Sequence, residues 1–302
     1  MKKVQIPDCA HPFVVYLNGK KYIYPGGVEQ EVPDEIAHII ETHANFHKPK
    51  YTITPSDGNT GSSGGGVVVC TATEPSKDTT IFDFKGLNVS FPNATIIGDG
   101  AFDRCASLSS IDLPNATSIG VEAFYYCTAL SSVNLPRATA IGNYAFYSCF
   151  TLSNIDLPAA TSIGKAAFCN CPALTSIDLP NATTIGNYAF QECTALSSVE
   201  LPNATSIDEG AFYNCPNFET LILSNTKSVC DINILAVAGT KIATNEGVPT
   251  GEGFIYVPTK FYDNYVANFV EQILAFGFDD ATAQYIATAV LRKIEDYPEI
   301  CG

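Results

Sequence analysis

Tryptophan is absent, methionine occurs once, and all four histidines fall before residue 50. The rest of the chain therefore lacks the side chain most often used as a general base near neutral pH. Basic charge is scarce too. Sixteen Lys and Arg stand against 31 Asp and Glu, for a formal net charge of −15. Such a surface repels phosphate, so neither nucleic acid nor an anionic membrane is expected as partner. Cations, basic proteins and neutral glycans remain compatible. No apolar run approaches the roughly 18 residues of a membrane-spanning helix, so no membrane insertion is expected. The start, Met1 to Cys9, has two lysines with no apolar stretch behind them and does not predict a secretory signal peptide. Walker A, H-E-x-x-H, dinucleotide-binding and C-x-x-C motifs are missing, so the reading has no catalytic residue, metal site or cofactor.

What is there is a repeat. Pro92, Pro114, Pro136, Pro158, Pro180 and Pro202 lie 22 residues apart. So do Phe102, Phe124, Phe146, Phe168, Phe190 and Phe212, and so do Cys105, Cys127, Cys149, Cys171, Cys193 and Cys215. The unit from Leu108 to Leu130 reads L-S-S-I-D-L-P-N-A-T-S-I-G-V-E-A-F-Y-Y-C-T-A-L. Ile111 and Leu113 alternate with Ser110 and Asp112, the period of a short strand with one buried face. Pro114 ends it, and Asn115-Ala116-Thr117 is a turn. Ile119, Ala123, Cys127 and Leu130, with Phe124 beside them, then fall at near-helical spacing and predict a helix of one or two turns. Gly120 marks an unusual backbone angle or a close approach. One unit cannot bury its apolar side, but stacked units can, with strands in parallel at about 4.8 Å.

The pattern L-x-x-I-x-L-P…I-G-x-x-A-F-x-x-C resembles the BspA-like (Treponema-type) leucine-rich repeats of bacterial surface proteins, over residues about 86–258. Here the proline and the I-G pair stand one residue closer than is usual in that family. The resemblance implies surface recognition, since members are commonly secreted adhesins. The fold class expected is an α/β repeat solenoid of 22-residue units. Parallel strands would form its concave face and short helices its convex face.

Around this body the sequence suggests three further parts. Residues 1–50 read as a small α+β anchoring domain. Phe13–Leu17 and Lys20–Tyr24 flank Asn18-Gly19 as a hairpin, and Pro33 to Thr42 reads as an amphipathic helix. Residues 51–66, rich in Thr, Ser and Gly, read as a flexible linker. The solenoid with its N-terminal cap is assigned to 67–258, with Phe254 to Pro258 resembling a closing strand. Residues 259–302 read as a helical cap, with helices at Thr259–Phe276 and Asp279–Asp296 and with Asp279 and Asp280 as N-cap candidates.

Candidate chemistry is weighed against plainer roles. Eleven cysteines cannot all pair internally. Their column fits a disulfide ladder or a metal site in principle, but on the apolar side it reads as core filler. His43 and His47 read as a polar helix end. Gly61-Ser62-Ser63-Gly64-Gly65 matches G-x-S-x-G without the required strand and helix. Asn93, Asn115, Asn181 and Asn203 head N-A-T triplets because the turn recurs. The tyrosines 125, 126, 144, 147, 188 and 213 decorate the helical side, either packed between rungs or free to stack on sugars.

The outward strand positions are the best binding candidates. One column runs Asp112, Asn134, Asp156, Asp178 and Glu200. Beside it run Ser110, Ser132, Asn154, Ser176 and Ser198. Together they would form a polar strip for a protein or glycan ligand on a cell surface. The leading function is a non-enzymatic recognition or adhesion protein at the cell surface or outside the cell. The N-terminal domain would attach it to a larger assembly. The alternatives are a bacteriophage fibre or virion decoration protein, given a faint resemblance of the N-terminal segment to phage structural modules, an enzyme with its site in 224–302, or a purely architectural subunit.

Overall fold

The structure, a computed structural model, describes residues 88–106, 108–224 and 228–297, and upstream of them only the backbone of six strands. Contacts divide the chain into two units, Met1–Thr52 and Ile53–Gly302. In the first, Lys2–Gln5 pairs antiparallel with Glu29–Val32. Phe13–Leu17 pairs antiparallel with Lys20–Tyr24, with Leu17 facing Lys20; the expected turn at Asn18-Gly19 lies outside the described residues. The helix expected at Pro33 to Thr42, His43, His47 and Gly61 to Gly65 lie outside the described residues.

The second unit is a parallel-strand solenoid of about six 22-residue turns. Each rung contributes two strands. The first is the expected one, represented by Ser110–Asp112 and its repeats. The second, Ser118–Ile119 and its repeats, is only two residues long. It builds a continuous seven-stranded parallel sheet from Ile96–Ile97 to Asp231–Ile232.

The helices expected on the other side of the rung are corrected to turns. Each rung there holds two residues in the left-handed region. Glu122, Tyr144, Ala166 and Tyr188 form one column between Gly100 and Gly210. Arg104, Tyr126, Ser148, Asn170, Glu192 and Asn214 form the other. A right-handed helix cannot pass through such residues. Backbone groups bond the next rung instead, as when Phe124 N–H donates to Ala145 O (2.7 Å) and Tyr126 N–H to Tyr147 O (2.8 Å). The apolar spacing that imitated a helix arises because a second strand and two turns place Ile119, Ala123 and Cys127 inward in succession.

Packing follows the columns. Ile111, Leu113, Ala116, Ile119, Ala123, Phe124, Cys127 and Leu130 are buried, as are their equivalents in the neighbouring rungs. The phenylalanines stack face to face, with Phe124 and Phe146 centroids 5.0 Å apart and planes 7° apart. Gly120 has no positive φ; it is required by close approach, since a Cβ there would lie 2.6 Å from the Asp99 backbone nitrogen.

Both ends differ from expectation. Ile53–Pro55, inside the expected linker, is a strand antiparallel to Val67–Cys70, which in turn pairs parallel with Asn88–Ser90. Phe254–Val257 closes onto Thr220–Ile222 as expected. Helix α1 spans Tyr262–Ala275 and α2 Asp280–Val290. The second expected helix ends early, because Leu291–Lys293 becomes a parallel strand beside Phe254–Val257. Asp279 caps α2, its Oδ1 accepting from Thr282 N–H at 2.7 Å, and those hydrogen bonds hold its carboxyl below the usual range.

Candidate binding surface

The first strands turn their middle residue inward and flanking residues outward, so all ten strip positions lie on the outer face. Ser110 and Asp112 are half-buried. Ser132, Asn134, Asn154, Asp156, Ser176, Asp178, Ser198 and Glu200 are exposed. The strip is not one unbroken ladder. Hydrogen-bonded pairing stops between Ser132–Asn134 and Asn154–Asp156, and again between Ser176–Asp178 and Ser198–Glu200. Asn154–Asp156 and Ser176–Asp178 thus form a separate two-stranded sheet at the centre of the strip.

Its chemistry varies along its length. Asp112 accepts from Ser90 Oγ (3.0 Å) and Asn134 Nδ2 (2.6 Å). Glu200 accepts from Ser224 Oγ. Asp156 faces Asp178 in register. Among the described residues neither carboxylate has a hydrogen-bond or ionic partner within the chain. The strip ends in an aromatic group that sequence reading missed. Glu200 is followed in register by Ile222, Tyr256 and Arg292. Arg292 lies 3.8 Å over the Phe254 ring, and Tyr256 meets Tyr297 edge-on at 5.3 Å. The register of Leu291–Lys293 on a distant strand left no signal for this.

The opposite side of the rung carries a tyrosine group. Tyr125 stacks on Tyr147 at 5.0 Å, while Tyr126 meets Tyr147 at 5.9 Å and Phe150 at 6.4 Å. Tyr126 and Phe150 are exposed, and Tyr125, Tyr144 and Tyr147 are half-buried. Tyr188 covers Gly210, where a Cβ would come within 2.3 Å of its ring, and donates to Glu209 at 3.0 Å.

The recurrent polar residues are structural. Asn115, Asn181 and Asn203 donate from Nδ2 to Pro92, Pro158 and Pro180 carbonyls in the preceding rung (2.7–2.8 Å). A threonine column, legible as Thr95, Thr117, Thr139, Thr161, Thr183 and Thr205 but not singled out from sequence, does likewise: Thr139 Oγ1 donates to Thr117 O at 3.0 Å. The cysteines form a third ladder. Cys127 Sγ donates to Phe102 O (3.0 Å) and Cys171 Sγ to Phe146 O (3.1 Å). Eight cysteines among the described residues are free and buried. Burial pushes the Cys171 and Cys215 thiols up to about 12, so they are not poised as nucleophiles. No group of three or more metal-ligating side chains occurs among the described residues.

Comparison with family models agrees with this architecture. A family model described as BspA type Leucine rich repeat region matches in six copies, at residues 95–215 and 161–244. The chain is similar to the crystal structure of a T. pallidum leucine rich repeat protein, at 25% identity over 70% of this chain and 89% of that one, with a TM-score of 0.48. It is also similar to a leucine-rich repeat protein from Bacteroides ovatus, at 22% identity over 70% of this chain and 65% of that one, with a TM-score of 0.49. A leucine rich cell surface protein from Faecalibacterium prausnitzii matches at 16% identity over 57% of this chain and 86% of that one, with a TM-score of 0.23. No curated protein matches the sequence.

Proposed function

Because this chain belongs, through its repeat body, to the BspA-type leucine-rich repeat family, we propose that it is a non-catalytic recognition protein. It displays the outward face of its first strands to a protein or glycan ligand on a cell surface. One observation carries this reading: the central Asp156 and Asp178 carboxylates stand side by side, exposed, with no partner within the described chain. Like charges in register oppose one another, so folding alone gives no reason to keep them. A ligand that brings a positive charge or hydrogen-bond donors removes that conflict. Stacked rungs hold the pair on a backbone fixed by the buried columns, so little ordering entropy remains to be lost on binding.

The test uses the full chain with Asp156→Ala and Asp178→Ala combined, read against arrays of glycans and of cell-surface proteins. Binding to whichever ligand the unaltered chain captures is expected to weaken about tenfold or more, since charge-assisted contacts of this kind are worth about 1.5–3 kcal/mol each. The unfolding midpoint should hold or rise slightly, because the like-charge contact is gone. Unchanged capture by the double variant would remove the strip from the binding surface.

A further inference from the structure

The C-terminal cap carries apolar surface that capping does not require. A solenoid end needs its last rung covered and its own outer face polar. Helix α1 meets the first need with Tyr265, Val266, Phe269 and Ile273, and α2 with Ala283, Ile286, Ala287 and Val290, all buried. Yet Phe276 is 59% exposed and Phe278 42% exposed, in the connection between the two helices. These rings flank a cleft of about 350 Å³ whose apolar wall includes Leu235, Ile273 and Ile286. Exposed apolar groups gathered around a concavity mark an interaction site more than a solvated surface.

Charge selects the occupant. Glu246 lines the cleft, and exposed Asp279 and Asp280 follow Phe278 directly. Among the described residues no lysine or arginine lines it. The four basic residues between 228 and 297 are engaged elsewhere. Lys241 binds Glu219 at 2.8 Å. Lys260 lies over Phe261, Arg292 over Phe254 and Lys293 over Tyr262. A second copy of a chain with net charge −15 would bring acid against acid. We propose that this cleft is a second docking site, distinct from the outward strip, for a basic peptide segment of a partner protein. An aromatic or aliphatic side chain of that segment enters between Phe276, Phe278 and Ile286, and its lysines or arginines meet Glu246, Asp279 and Asp280.

The full chain tests this with three fluorescent peptides: one of alternating lysine with phenylalanine and leucine, one with glutamate for each lysine, and one with serine for each apolar residue. The lysine–apolar peptide is expected to bind at least about tenfold more tightly than either control, because it alone satisfies both the apolar wall and the acidic rim. Phe276→Ser with Phe278→Ser should lose that margin while keeping the fold, since both rings are largely outside the core. The Asp156→Ala, Asp178→Ala chain should keep it, which separates the cleft from the strip. Equal binding of the serine peptide, or no loss in the Phe276→Ser, Phe278→Ser chain, overturns the proposal. So does concentration-dependent dimerisation of the unaltered chain that this variant abolishes, because the occupant is then a second copy.

Discussion

Raising the pH from 8 to 10 is expected to strip the repeat body of most of its resistance to unfolding. The cause is the buried thiols. In the folded chain desolvation holds Cys105, Cys169, Cys171, Cys215 and Cys230 up at about 12. Cys127, Cys149 and Cys193 are raised well above 9.0 by the same burial. Unfolding returns each to an ordinary value near 9.0. Above that value the unfolded chain sheds protons that the folded chain keeps, so stability falls as pH rises, through a window from about 9 to about 12. Each thiol then costs about 1.4 kcal/mol per pH unit. With eight such thiols, a single unit beyond 9 removes on the order of 10 kcal/mol, as much as the whole stability of many domains. Denaturant midpoints measured from pH 7.5 to 10.5 should be flat below about 8.5 and drop steeply above. Cys149→Ala should lower the slope by about one proton, whatever its effect on the plateau. A midpoint that is level through pH 10.5 would show that these thiols ionise freely in the folded chain.

Six of those eight thiols belong to a column legible in the sequence; Cys169 and Cys230 lie outside it. Alternation in Ser110-Ile111-Asp112 was enough to aim Ile111 inward and both neighbours outward, because a strand has a period of two whatever its length. Recurrence at 22 residues then assigned every equivalent position. Ser118–Ile119 was not legible: a two-residue strand offers no period to detect, and its inward Ile119 blends into the apolar spacing that follows. The left-handed turns were hidden for a related reason. Sequence flags such positions by glycine or asparagine, as at Gly100, Gly210, Asn170 and Asn214, but Glu122, Tyr144 and Arg104 stand at equivalent places and break up that signal. The rung's own hydrogen bonds to its neighbour stabilise those angles, and no local propensity reports that.

The candidate site divides along the same line. The ten strip residues are where the strand period puts them, since facing is a local property. Interruption of the ladder on both sides of Asn154–Asp156 and Ser176–Asp178 depends on how whole rungs settle against one another. The cleft at the far end is still less visible, since Leu235, Glu246, Phe276 and Ile286 meet only after α1 and α2 fold back. What could be read there was an excess: a tail longer than a cap needs.

The rung contact makes a graded prediction, in which Gly142→Ala costs more than Gly186→Ala. Gly98, Gly120, Gly142, Gly164 and Gly186 occupy one column, and Asp208 takes the sixth place. At Gly142 an added Cβ would lie 2.5 Å from the Gly120 carbonyl carbon, 2.6 Å from its oxygen and 2.8 Å from Ile119 O, all backbone. Nothing flexible can yield, so the rungs must part where Gly142 N–H donates to Ile119 O at 2.8 Å. At Gly186 the same atom would meet Lys165 N at 2.9 Å, Gly164 C at 3.0 Å and Ile163 O at 3.1 Å, again all backbone, so the rungs must shift there too, but by less than at Gly142. Neither glycine has a positive φ, so alanine also gains about 0.4–1 kcal/mol by restricting the unfolded chain. Set against overpacking of about 1–3 kcal/mol, that gain leaves Gly142→Ala destabilised by about 2 kcal/mol and Gly186→Ala by about 1 kcal/mol. Equilibrium denaturation of the two variants reads the difference directly, as a shift of several degrees in midpoint for a body of this size. Equal losses would mean that the column is kept for flexibility. The predicted order instead ties glycine to distance: the nearest backbone contact eases from 2.5 Å at Gly142 through 2.7 Å at Gly164 to 2.9 Å at Gly186, and the sixth place carries a Cβ in Asp208, whose half-buried carboxyl is raised by desolvation and then by Asp231.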